Sequence, residues 1–244
     1  MASACGGVML DSLQNWTRLY KLTSDTMQTY GGYQWQMDEV REAPGGGPLC
    51  SAAWLHAYLH PGVAALLNVG DTAIAQPRCW EAEGVVGATD HGLQVGCTAL
   101  RLVRDVPMPV LTTAQRVRMA ISCALAAYHE PTWDAWATSW LMGTHRSRES
   151  QQTESARLYD LSRRHQPPQG SGFDGWAAWW AVESAGPTVF AAEDAAMAVR
   201  MAAYRRPLDL GMFADAVMGP KPVTLMPSIF LGHHASVDAA GDER

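Results

Sequence analysis

The sequence changes periodicity once, between Pro107 and Thr113, and that switch limits the chain to a strand-rich part followed by a helical one. Before it, short segments alternate apolar and polar side chains. Residues 17–23 (TRLYKLT) place Leu19, Lys21 and Thr23 on one side and Tyr20 and Leu22 on the other. Residues 54–58 (WLHAY) predict a strand that turns at Pro61 into a short apolar helix ending near Asn68. Residues 78–86 predict another strand, with Trp80, Ala82 and Gly84 opposite Glu81 and Glu83. Asp90-His91-Gly92 makes a turn, and residues 93–106 supply one or two further strands.

After the switch the period is helical. Thr112 with Gln115 forms a capping-box signature ahead of an apolar stripe, Val117, Ile121, Ala124, Leu125 and Tyr128. Pro131-Thr132 caps a helix carrying Trp133, Trp136 and Trp140 on one face, and Gly143 ends it. A polar, exposed helix spans 146–164, a linker covers 166–172, and three apolar helices follow around 173–184, 188–205 and 207–218. The expected class is α+β. A small mixed or antiparallel split sheet over 17–110 carries the candidate site, and a Trp/Ala-rich helical region over 111–219 packs on it, with tails at 1–16 and 220–244.

Composition narrows the function classes. The 244 residues are 48% hydrophobic and 17% charged, which is a folding composition rather than a disordered one. The net charge of −6 makes nucleic acid an unlikely general partner, because phosphate binding needs a basic face. No apolar run reaches membrane-spanning length and no signal-peptide pattern opens the chain, so a cytoplasmic location is expected. Five scattered cysteines, Cys5, Cys50, Cys79, Cys97 and Cys123, read as reduced thiols.

Several strings together resemble a family of uncharacterised proteins common in phages, prophages and actinobacteria. They are Leu19-Tyr20-Lys21 with Thr23, Gln34-Trp35, Leu49-Cys50 ahead of the WLHAY run, Pro61 with Leu66-Leu67-Asn68, residues 80–84 (WEAEG), Gly92-Leu93 with Val95-Gly96-Cys97, and Gln115-Arg116. The resemblance runs from about residue 19 to 147 and implies a phage-associated lineage and a shared fold. The chain departs from it at Asn68-Val69-Gly70-Asp71, where relatives read Asn-Pro followed by a histidine.

The strand order is also similar to the ADP-ribosyltransferase fold. That resemblance places Lys21 where the fold has a histidine or arginine on its first strand, and Tyr58 near its pocket aromatic. In the region of the fold's catalytic glutamate the chain offers Asp90 or Gln94.

The residues themselves offer several chemistries. Glu81 and Glu83 share a strand face; lining a cleft, they would form an acid/base pair able to stabilise an oxocarbenium-like sugar, whereas a solvated face needs no such role. His56 suits a pocket acid/base or a structural histidine. Its spacing to His60 does not enforce a metal site across Pro61, and no metal is expected. Cys50 with a histidine base has no neighbouring signal to activate it. Tyr30, Tyr33, Trp35 and Trp54 surround a Gly-Gly turn and could stack on a base or nicotinamide ring, with Lys21 reaching phosphate or ribose.

The leading expectation is therefore a small nucleotide-processing enzyme of glycosyl or ADP-ribosyl transferase or glycohydrolase type, with NAD as substrate. Its pocket would hold Lys21, Trp35, Tyr58 and Tyr33 for binding and Glu81, Glu83 and His56 for chemistry. The alternative is a non-catalytic binding module that oligomerises through Trp133, Trp136, Trp140, Trp176, Trp179 and Trp180.

Overall fold

A computed structural model describes residues 15–69, 74–164 and 175–219. The tail at 220–244 and the linker at 166–172 lie outside the described residues, as do most of the tail at 1–16 and Gly70-Asp71 of the divergent stretch. The architecture is α+β, with an antiparallel five-stranded sheet and seven helices among the described residues.

Two long strands, β6 (Arg78–Asp90) and β7 (Gln94–Val106), form the central hairpin. Both central residues of its turn, His91 and Gly92, have positive φ (49° and 81°), the backbone that suits the right-handed twist of a tight hairpin. Strand β1 (Trp16–Thr23) pairs antiparallel with β6. Strands β4 (Arg41–Glu42) and β5 (Leu55–Ala57) lie along the other edge of β7. A small hairpin, β2 (Gln28–Thr29) with β3 (Tyr33–Gln34), stands apart from this sheet.

The chain then closes the sheet on itself. Tyr58, one residue beyond β5, exchanges both backbone hydrogen bonds with Tyr20 of β1 (2.8 Å each). Because β5 is already paired with β7, the β1, β6, β7 and β5 strands wrap round a single interior. Leu19, Trp35, Leu55, Ala57, Trp80, Ala82, Val95, Cys97, Leu100 and Leu102 fill it.

Gly96 and Gly87 show what closure demands of the sequence. A Cβ on Gly96 would overlap Leu49 Cδ1 and come within 2.9 Å of Trp54 Cδ2, and one on Gly87 would lie 2.6 Å from Trp54 Cζ3. The indole of Trp54 lies directly on bare backbone, so Val95-Gly96-Cys97 and the WLHAY run are tied together by packing.

The second core joins sheet and helices. Leu22, Tyr58, Cys79 and Leu93 from the strand region pack with the buried residues of the helices. It includes α1 (Pro61–Leu67), buried from Gly62 to Leu67. Its first turn is capped by His60, and Arg116 donates to its Ala65 and Leu66 carbonyls (3.3 and 3.4 Å).

Helix α2 (Thr113–Ala127) carries the full capping box of Thr112 and Gln115. Helix α3 (Pro131–Leu141) buries Trp133, Trp136 and Trp140, and Gly143 just past its end has φ 91°. Its cap is Glu130, whose carboxylate accepts from the Thr132 and Trp133 N–H groups, while the expected cap Pro131 occupies the first helical position.

Helix α4 (Arg148–Arg164) is not exposed all round as its polarity suggests; it buries Gln151, Glu154, Leu158 and Ser162 along one stripe. The buried carboxylate of Glu154 is compensated by a two-pronged bond from Arg157, which also grips Glu130 (2.7 Å). Helices α5 (Trp176–Ser184), α6 (Ala191–Arg205) and α7 (Leu210–Met218) complete the layer. No described helix is long and apolar enough to cross a membrane.

Candidate functional site

The residues expected to share a pocket fall into three separate environments. The first is the sheet interior. Alternation along β1 turns Lys21 inward with Leu19 and Thr23, and its ammonium donates to the His56 carbonyl (2.6 Å) and lies 5.2 Å from the Trp35 ring centre. Burial lowers its pKa from 10.5 to about 8. Trp35 is buried beside it, with its indole N–H on Thr29 Oγ1 (3.1 Å). Both groups are enclosed by packing.

The second environment is the outer face of the same strands. Trp80 and Ala82 point inward, so Glu81 and Glu83 point outward, as the alternation predicts, and onto a face dressed with arginine. Glu81 is held between Arg18 (3.0 Å) and Arg104, and Glu83 pairs with Arg101 (2.6 Å). Each carboxylate is neutralised separately across strands, so the two do not form the mutually repelling acid/base pair, and they lie on the opposite side of the sheet from Lys21.

His56 is held by its own surroundings: a carbonyl only accepts, so its Nε2 carries the proton donated to Leu49 O (2.6 Å). His60 is occupied by Gly62 N–H and Asp215, so the two histidines do not converge. Among the described residues no three His, Cys, Asp or Glu side chains cluster as metal ligands. The described cysteines carry no disulfide; Cys50 is exposed, and burial raises the Cys79 and Cys97 thiols to about 11. Tyr33 is partly exposed on the small hairpin, its ring 5.3 Å from Trp35, and Tyr30 at the tip is 99% exposed.

The third environment borders an open cleft. Its volume is about 600 Å³, and Thr89, His91, Gly92, Pro207, Leu208 and Asp209 line it. Its walls are the β6–β7 turn and the connection from α6 to α7. A Cβ on Gly92 would sit 3.3 Å from Leu208 O, so the two walls meet at their base.

Tyr204, from the end of α6, stands edge-on to the His91 ring at 5.2 Å and donates a long hydrogen bond to Asp90 (3.4 Å). Burial, then the Asp90 carboxylate, raises the Tyr204 pKa, while Arg200 opposes the rise. Behind them Tyr58 is buried, its hydroxyl pushed up to about 12 by burial and pulled back by the Arg200 charge.

His91, Tyr204 and Asp209 were not legible as partners. The Asp90-His91-Gly92 turn marks one wall, but Tyr204 and Asp209 come from the end of α6 and the connection after it, more than a hundred residues later. The one local hint is a bulky residue at a turn position that demands positive φ. No protein-family model matches the chain, and neither a curated protein nor a solved structure is similar to it.

Proposed function

We propose that the protein binds a nucleotide in the cleft between the β6–β7 turn and the α6–α7 connection and acts on its N-glycosidic bond, with NAD as the substrate. The observation that carries this reading is an opening of about 600 Å³ lined by His91 and Asp209, with the Tyr204 ring edge-on to His91 and hydrogen-bonded to the neighbouring Asp90. The volume suits a small ligand, the rings offer stacking surfaces, and the carboxylates can accept from ribose hydroxyls.

Asp90 takes the role first considered for Glu81 and Glu83. Oriented by Tyr204, its negative charge faces the sugar carbon as the nicotinamide bond breaks and cationic character develops. Water, losing a proton, then adds to that carbon, and nicotinamide leaves with the bonding electron pair, giving ADP-ribose. In an ADP-ribosyl transfer, another nucleophile replaces the water. The resemblance to the ADP-ribosyltransferase fold offers Asp90 or Gln94 in the region of its catalytic glutamate, and this reading takes Asp90.

Thermal unfolding with NAD and with ADP-ribose tests binding. Ligand at a hundredfold excess over Kd adds about 2.7 kcal/mol to the native state and raises Tm. Asp90→Asn should keep that shift and lose nicotinamide release. Absence of a shift with any nucleotide at millimolar concentration defeats the proposal.

A second reading, self-assembly through the helical layer, has support from α5. Trp176, Trp179 and Trp180 stay half-buried in an unbroken chain of ring contacts that reaches the exposed Tyr159. Light scattering from a monomer would rule it out.

A further inference from the structure

We infer that Asp209 makes the cleft selective for a ribose with a free 2′-hydroxyl, so that a 2′-phosphorylated nucleotide is rejected. This inference rests on the nucleotide reading above and narrows its substrate class. Asp209 is exposed at the cleft, yet its carboxylate is not free to rotate: Oδ1 accepts the Met212 N–H (3.0 Å) as the cap of α7. Its other oxygen has no hydrogen bond among the described residues. Gly211 keeps that orientation open, because a Cβ there would come 3.3 Å from Oδ1.

A fixed carboxylate with a spare acceptor suits a sugar hydroxyl, which donates to it, and repels a phosphate, which cannot. No lysine or arginine lines the cleft to offset that repulsion. Arg206, beside Pro207, points instead to the Ala126 carbonyl (3.2 Å).

The test is a titration of NAD and of NADP into the full chain and into Asp209→Asn by calorimetry. Asparagine is an equally good cap, so α7 keeps its first turn in the variant, and unchanged circular dichroism confirms it. In the wild type NAD should bind at least about tenfold more tightly than NADP; in Asp209→Asn the ratio should fall to about threefold or less, with NADP gaining affinity. Equal affinities in the wild type, or the same ratio in the variant, overturn the selectivity while leaving nucleotide binding intact. Binding of neither nucleotide to either protein overturns the cleft reading and the selectivity together.

Discussion

The sheet half and the helical half both pack tryptophans against small residues, but they use different ones. Around Trp54 the small residues are Gly87 and Gly96, and a single added carbon would overlap its ring. Around the helices they are alanines: Ala120, Ala124, Ala178, Ala181, Ala195, Ala198, Ala202 and Ala203 are all buried. A strand brings its neighbour's ring onto the backbone itself, so only glycine leaves room. A helix holds its neighbour at side-chain distance, where alanine suffices and avoids the roughly 1 kcal/mol that glycine costs in a helix interior. The same need for space thus leaves a different residue signature in each half.

Trp133 puts the largest strain on that comparison. It is fully buried against Trp136 at 5.8 Å, and its indole N–H has no partner among the described residues. Replacing it by alanine should cost about 3–5 kcal/mol in chemical denaturation. The core containing Trp133 also contains Leu22, Cys79 and Leu93, so hydrogen exchange in β6 and β7 should speed up along with that of the helices. Loss confined to the helices would show that the two halves are separate cooperative units.

Lys21 comes next, and here the sheet half departs from the alanine lattice by enclosing a cation. Its folded pKa of about 8 lies below the unfolded 10.5, so between these values the unfolded chain holds more protons on this group and stability rises with pH. Below pH 8 the penalty is present in full, about 3 kcal/mol at 1.36 kcal/mol per pH unit. Lys21→Met removes that penalty but leaves the His56 carbonyl without its donor, so the net gain at pH 7 should be about 2 kcal/mol. Unfolding free energies of the two proteins should converge as pH rises from 8 towards 10. A less stable variant at pH 7 would mean that the ammonium is better satisfied than one carbonyl and one ring imply.

Elements with a clear period were legible in the sequence, and relations between elements were not. Alternation in residues 17–23 foretold β1 and put Lys21 and Thr23 on one face, and the Thr112–Gln115 signature foretold the cap of α2. The same alternation put Glu81 and Glu83 together on one face. Which face was solvated depended on the arginines of β1 and β7, which arrive only through strand pairing. The burial along α4 was hidden because its buried residues include Gln151 and Glu154, polar side chains made tolerable by partners elsewhere. Sheet closure through Tyr20 and Tyr58 uses backbone atoms alone and leaves no side-chain pattern to read. The cleft was the least visible, since its two walls are more than a hundred residues apart in the chain.

The smallest effect lies at His60, where the halves meet. Its Nδ1 accepts the Gly62 N–H (3.0 Å), capping the buried helix α1, and its Nε2 faces Asp215 of α7 (3.0 Å). The Asp215 side chain is 75% exposed, so that contact should contribute little, and the cap should dominate. His60→Ala should therefore cost about 1 kcal/mol, and His60→Asn, which restores a capping oxygen but does not reproduce the imidazole's bridge to Asp215, should recover most of it. Urea midpoints of the three proteins measure this. Should asparagine fail to rescue while Asp215→Asn alone reproduces the loss, the link from α1 to α7 would be the stronger one, and the seam between the halves would depend on a surface pair rather than on the buried helix.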